Sequence, residues 1–320
     1  MDPVVLFFLL GFAARFAKSD LKLPEALYET LSIYLLLTIG LKGGVELAKH
    51  PIATVLPQAA AAVAMGAILP LLAYPALRWL GRLQGHDAAS IAGHYGSVSV
   101  VTFAVGISFL IKRDVPFEEY MPLFVALMEV PGIVVGILLA RMPGSGAEGA
   151  TLSRTAINWG ALAHEIFLGK SVVLLAGGLA IGWFAGPKGL EPMSPLFFGL
   201  FKGVLALFLL EMGLVAASRI GEFRRAGAFL IGFGIVTPVA FGAIGVLVGR
   251  ATGLSVGGAT MLGVLAASAS YIAAPAAMRI AIPQANPTLS IVTSLGVTFP
   301  FNLTFGIPLY YAIAQGLASP

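Results

Sequence analysis

The chain contains no cysteine in 320 residues. That removes disulfides, thiolate nucleophiles and cysteine-based metal sites together, and leaves redox chemistry without its usual protein groups. Charge is scarce as well, at 11% of residues against about a quarter in a soluble globule. The few aspartates (Asp2, Asp20, Asp87, Asp114) all lie near the ends of apolar runs. No paired-aspartate, G-x-S-x-G or H-E-x-x-H constellation is present, so an intramembrane enzyme would lack its working groups. Lys and Arg are scattered singly through the connections instead of forming a stripe, which gives nucleic acid nothing to hold. Long polar segments are missing too. The longest, RMPGSGAEGATLSR at 141–154, is too short for a separate aqueous domain.

What remains is apolar. Hydrophobic residues make up 58% of the chain and mean hydropathy is +0.94, a surface no soluble protein could present to water. A bilayer span needs about 20 mostly apolar residues. Blocks between turn and charge signals give ten of them: 3–17, 25–41, 52–77, 88–111, 117–140, 166–186, 195–217, 226–249, 256–281 and 288–315. The expected fold is therefore an all-α membrane protein of ten transmembrane helices. MDPVVLFFLLGFAARFAKSD carries its negative charge before the apolar run and its positive charges after it, the reverse of a secretory leader, and reads as a short first span. Twelve Lys and Arg lie beside odd-numbered connections and seven beside even ones. The positive-inside rule then puts the odd connections in the cytoplasm and both termini outside.

The two halves of the chain resemble each other. MGAILPLLAYPALRWLGR (65–82) lies over FGIVTPVAFGAIGVLVGR (233–250) without a gap, matching Gly66 to Gly234, Pro70 to Pro238, Gly81 to Gly249 and Arg82 to Arg250. Ser97 and Ser99 of GHYGSVSVVTF meet Ser268 and Ser270 of ASASY, Pro131 meets Pro300, and Leu37, Gly40 and Leu41 meet Leu210, Gly213 and Leu214. Near-constant offsets in chain order imply two copies of a five-span unit, 1–145 and 166–320, joined by a cytoplasmic linker at 146–165. Five is odd, so the second copy enters the membrane from the opposite side, as in inverted-repeat transporters.

Each copy carries a Ser-x-Ser in the middle of its fourth span. At membrane depth a helix interruption is tolerated only where protein or a water-filled cavity receives the freed backbone groups. Inversion would bring the interrupted spans four and nine together to cross at the midplane, each exposing the positive N-terminus of a half-helix. Two such ends facing one cavity suit a small anion. The expected cradle is Gly96, Ser97 and Ser99 with Ala269 and Ser270, the residues after each break supplying N–H donors. The plainer reading is that Gly and Ser here merely permit close helix packing. Glu129 lies inside span five, with Thr298 as its repeat partner and Asn302 one turn on. Their oxygens, counted with Ser268, suit a hard cation such as sodium. A proton relay or a helix contact is the other reading of Glu129. Glu211 could pair with Lys202 or Lys42. His94 reads as a hydrogen-bonded neighbour of the site, since His50, His86 and His164 sit too near span ends to complete a metal set. No cofactor is expected.

At GHYGSVSVVTF, together with AASASYIAAPAAMRIAIPQANPTLS (266–290), the sequence resembles the sodium-dependent bicarbonate transporter family, called SbtA in cyanobacteria. The resemblance covers essentially the whole chain. It implies a gate domain of spans 1, 2, 6 and 7, a moving core domain of spans 3–5 and 8–10, a homotrimer, and elevator-type alternating access. Bicarbonate would bind between the interrupted spans, with Tyr271 joining Gly96, Ser97, Ser99, Ala269 and Ser270, and sodium would drive symport in a bacterial inner membrane. Cyanobacterial members are inhibited by a PII-type cytoplasmic regulator, and the short, Gly-rich central linker departs from their pattern. Symport of an organic anion and cation/proton antiport are the rival transport readings, although a carboxylate expected at the crossing of an antiporter is missing.

Overall fold

A computed structural model describes residues 3–142 and 159–318. Among them there is no strand, and eight helices are long and apolar enough to cross a membrane. Two members of the ten-span reading fall outside that set for physical reasons. The first helix, α1 (Pro3–Phe16), has 14 residues, and at 1.5 Å per residue it is shorter than a bilayer core. The ninth apolar block is cut into α11 (Val256–Ala267) and α12 (Ala273–Ala281).

The remaining elements follow the apolar blocks. They are α2 (Glu25–Leu47), α3 (Ile52–Pro75), α4 (Gly85–Gly96), α5 (Val100–Ile111), α6 (Pro122–Leu139), α8 (Lys170–Leu190), α9 (Phe201–Ser218), α10 (Phe223–Ala251) and a C-terminal span, Pro287–Gly316. Between α6 and α8 lies α7 (Trp159–Leu168), which the hydropathy pattern did not separate. Gly169, extended at φ −60° and ψ 148°, ends it, so the following span begins at Lys170 and not at 166. Of the expected 146–165 linker, 146–158 lies outside the described residues and 159–165 is helical. The C-terminal span contains two π-helical stretches, Val292–Thr298 and Asn302–Gly306, on either side of Pro300. Proline has no N–H to give its helix and crowds the preceding turn, and the widened turns absorb the mismatch.

Lipid tails are as apolar as leucine, so close packing and hydrogen bonds must hold these helices together. Two helix pairs do so through glycine. α2 packs on α8, and α1 packs on α9. A Cβ at Gly44 would stand 2.0 Å from the Leu179 carbonyl oxygen, and one at Gly182 would stand 2.2 Å from that of Leu41. In the other pair a Cβ at Gly11 would meet the Leu210 oxygen at 2.0 Å and one at Gly213 the Phe8 oxygen at 2.1 Å. Any side chain at these four positions would push the helices apart. A second body forms around α3, α4 and α6, which pack on one another, and around α10 and α11 with the C-terminal span. The segment running from α4 through α5 is 94% buried over its most apolar window, whereas α8 is only 22% buried. The α4–α5 segment therefore forms the centre of the molecule and α8 part of its periphery.

Candidate functional site

α4 stops at Gly96, and Ser97, Val98 and Ser99 are not helical before α5 begins. α11 stops at Ala267, and five residues, 268–272, pass before α12. The two interruptions touch. The Ser99 N–H donates to Ser268 Oγ at 2.9 Å, and the Ser270 N–H donates to the His94 carbonyl at 2.8 Å. Two of the freed N–H groups thus find acceptors across the breaks, as a chain shielded from water favours.

The serines also cap the half-helices that follow them. Ser99 Oγ accepts from the Thr102 N–H at 3.2 Å and from the Thr102 hydroxyl at 3.0 Å, and Ser270 Oγ accepts from the Ala274 N–H at 3.1 Å. Capping satisfies only part of each first turn. A helix leaves four N–H groups without an intrahelical acceptor, so the amides of Val100 and Val101 in α5 and of Ala273 in α12 remain to be met. All three residues line one enclosed cavity of about 20 Å³, together with Ser99, Ser270, Tyr271, Ile272 and Glu129. Its opposite wall comes from the peripheral helices: Ser32, Leu35 and Leu36 of α2, Ser171 of α8 and Phe208 of α9. A single water needs about 10–15 Å³ of such space, so the cavity is nearly closed in this state.

Three buried oxygens at the breaks have no hydrogen-bond partner: Ser97 Oγ, Glu129 Oε2 and the Tyr271 hydroxyl, which lies beside Ser99 without closing a bond to it. Glu129 is 2% exposed, and an unpaired carboxylate there is costly unless a cation or proton joins it. Its oxygens and the hydroxyls of Ser32, Ser99, Ser171 and Ser270 are hard donors of the kind sodium takes.

The structure distributes the expected site residues unevenly. Ser99, Ser270, Tyr271 and Glu129 come together on the cavity. Ala269 is buried between the two serines of its break but does not line the cavity, and neither does Ser97. Gly96 has a packing role: a Cβ there would stand 2.1 Å from Pro70 Cγ and 2.8 Å from Gly132 Cα. Those distances support the close-packing reading at that position. Ser268 spends its hydroxyl between the Leu265 carbonyl, 2.8 Å away, and the Ser99 N–H. Thr298 donates to the Gly234 carbonyl at 2.8 Å and bonds the Tyr95 hydroxyl. Asn302 donates to the Ala267 carbonyl at 2.8 Å and accepts from the Tyr310 hydroxyl at 2.7 Å. Both are committed partners away from the cavity wall. Lys42 pairs with Glu119 at 3.6 Å and not with Glu211, whose Oε2 stays unpartnered. His94 Nδ1 lies 2.8 Å from the Ser90 carbonyl, in keeping with a hydrogen-bonded neighbour. Among the described residues no three His, Asp or Glu side chains cluster to hold a metal ion. Sequence reasoning missed Ser32 and Ser171, because a lone serine in an apolar helix carries no pattern that marks the face it presents.

A protein-family model described as the Na+-dependent bicarbonate transporter superfamily matches residues 3–315. No curated protein matches the chain.

Proposed function

Because the chain belongs to the Na+-dependent bicarbonate transporter superfamily, a multi-pass membrane group with sodium as its coupling ion, we propose that it is a sodium-coupled bicarbonate symporter and that the cavity between the two breaks is its binding site. The observation that carries this reading is one small space that brings together a buried carboxylate with an unpaired oxygen, Glu129, and the first-turn residues of two half-helices. The amides and their dipoles suit an oxyanion. Glu129 by itself would repel one: two unit charges about 4 Å apart interact by about 4 kcal/mol at an effective dielectric constant of 20. A sodium ion between them turns that repulsion into attraction, so anion and cation bind well only together. Coupling follows from the geometry without a moving switch.

The alternating-access part of the proposal draws on the cavity's two walls. One wall belongs to the central body and the other to α2, α8 and α9. An occupant at such a seam is exposed to either side if the central body slides along the peripheral helices, which is elevator movement. Reciprocal packing supports the inverted repeat: α1 on α9 and α2 on α8 are the two contacts an axis in the bilayer plane would exchange. The wider matching agrees, since Gly66 abuts Met128 just before Glu129, and its counterpart Gly234 abuts Val297 just before Thr298. Ten membrane passages, termini outside a bacterial inner membrane and a homotrimer complete the proposal, and a PII-type cytoplasmic regulator is its most peripheral element. Labelled bicarbonate uptake into proteoliposomes tests the function. An inward sodium gradient should drive accumulation several-fold above the gradient-free level, and uptake indifferent to sodium would remove the symport reading.

A further inference from the structure

A second cavity, of about 120 Å³, is lined in part by His94. Its lining comes from α4 (Ser90, His94), from α12 (Met278, Arg279) and from the 282–290 segment that leads into the C-terminal span, including Ser290. No residue of the peripheral helices reaches it, and it shares no lining residue with the 20 Å³ cavity. Two features of its wall call for a ligand. His94 is 1% exposed and its Nε2 has no partner. Arg279 is exposed at the mouth, and no ion pair or hydrogen bond engages it among the described residues.

The histidine defines what could bind. A carbonyl oxygen only accepts, so Nδ1, 2.8 Å from the Ser90 carbonyl, carries the ring proton, and in the neutral ring Nε2 is left as a bare acceptor. The ligand must therefore offer it a donor. Arg279, permanently cationic and forked, calls for a planar or tetrahedral oxyanion. Few small species carry both an acidic O–H and a negative charge on adjacent oxygens. Hydrogencarbonate and dihydrogenphosphate do, whereas nitrate has the charge and shape without the proton. The Ser290 hydroxyl donates to the Pro287 carbonyl at 3.3 Å, so it adds shape more than charge. Asp87, the carboxylate nearest in sequence, does not line the cavity. It accepts from the Asn286 N–H at 2.7 Å and so ties the 282–287 loop to the start of α4, and His86 is its neighbour at 3.7 Å.

We propose that this cavity is a second anion site, separate from the seam between the breaks, selective for a protonated small oxyanion held between His94 Nε2 and Arg279. It does not depend on the transport reading. An occupant would bridge α4 and α12, the two half-helices already joined by the bond from the Ser270 N–H to the His94 carbonyl. Filling the site therefore stiffens the second break against movement relative to the first.

The test uses the full chain in detergent micelles, labelled with ¹⁵N-histidine and titrated without sodium against bicarbonate, phosphate and nitrate in turn. With only His50, His86, His94 and His164 to assign, the His94 Nε2 resonance is identified by its loss in His94→Gln. Bicarbonate or phosphate should move it toward the hydrogen-bonded position and nitrate should not, and whichever of the first two acts identifies the source. Arg279→Gln, an exposed change that the fold tolerates, should weaken half-saturation about tenfold, the loss of one charge-assisted contact. Absence of movement with both protonated ions, equal movement with nitrate, or an unchanged midpoint in Arg279→Gln would each overturn the proposal.

Discussion

In the first break Ser99 does two jobs, capping α5 through Thr102 and sending its own N–H across to Ser268. In the second, those jobs are divided: Ser268 Oγ receives the crossing bond while Ser270 Oγ caps α12. A strict twofold relation would send the Ser270 N–H to Ser97 Oγ. It goes to the His94 carbonyl instead, and Ser97 Oγ is left alone. The first break is also tighter, at three non-helical residues against five. Identical Ser-x-Ser spacing thus produces one break whose two serine hydroxyls are both engaged and one that holds a spare buried serine hydroxyl. Two hydrogen bonds join the interruptions, and local packing decides which atoms remain for a ligand.

Copying one break into the other sharpens this contrast. The strongest effect is expected for Gly96→Ala, which installs the residue found at the equivalent position, Ala267. Pro70 and Gly132 leave no room for it, and overpacking of this kind costs about 1–3 kcal/mol or more. Melting in detergent should fall by many degrees, whereas the reverse change, Ala267→Gly, should cost about 1 kcal/mol or less. An undisturbed Gly96→Ala protein would restore the cradle role to that glycine.

Next comes Ser268→Ala. It strands the buried Ser99 N–H and should destabilise by about 1–3 kcal/mol, seen as a lowered midpoint together with faster amide exchange at Ser99. Ser270→Ala removes a cap, at about 1 kcal/mol, and should also reduce bicarbonate uptake because it removes a hydroxyl from the cavity wall. The smallest effect belongs to Ser97→Ala, which deletes an unpaired hydroxyl away from the cavity wall and should leave melting within about 0.5 kcal/mol and uptake near wild type. Loss of stability in Ser97→Ala would show that its hydroxyl is engaged after all. Glu129→Gln separates the two ions: the protein should fold, yet the sodium dependence of uptake should flatten, and a sodium curve identical to wild type would move the cation elsewhere.

Much of this arrangement was legible from residues alone. Apolar runs of bilayer length located the long helices, and repeated Ser-x-Ser located both breaks, because a polar interruption in a lipid-facing chain has few physical excuses. The wiring was not legible. Which partner the Ser270 N–H takes depends on ångström-scale placement of residues that are 176 positions apart in the chain, Ser270 and His94. The packing of Gly96 against Pro70 and Gly132 was not legible, because a glycine that loosens backbone and one that admits a neighbouring helix look the same in sequence. Thr298 and Asn302 pointed to a shared cation site through their repeat and helical spacing. The widened π turns around Pro300 instead accompany their bonds to Gly234 and Ala267. Trp159–Leu168 escaped notice because its apolar residues run on into the next span, and only the extended backbone of Gly169 divides them.

The natural absence of cysteine makes one measurement unusually direct. Ala273→Cys places a lone thiol on the cavity wall beside the second break, and its labelling rate by a small methanethiosulfonate reagent reports access to that cavity alone. The account predicts that bicarbonate with sodium slows labelling several-fold, while bicarbonate with potassium, or chloride with sodium, leaves it unchanged. Labelling at one rate in all three salts would contradict it.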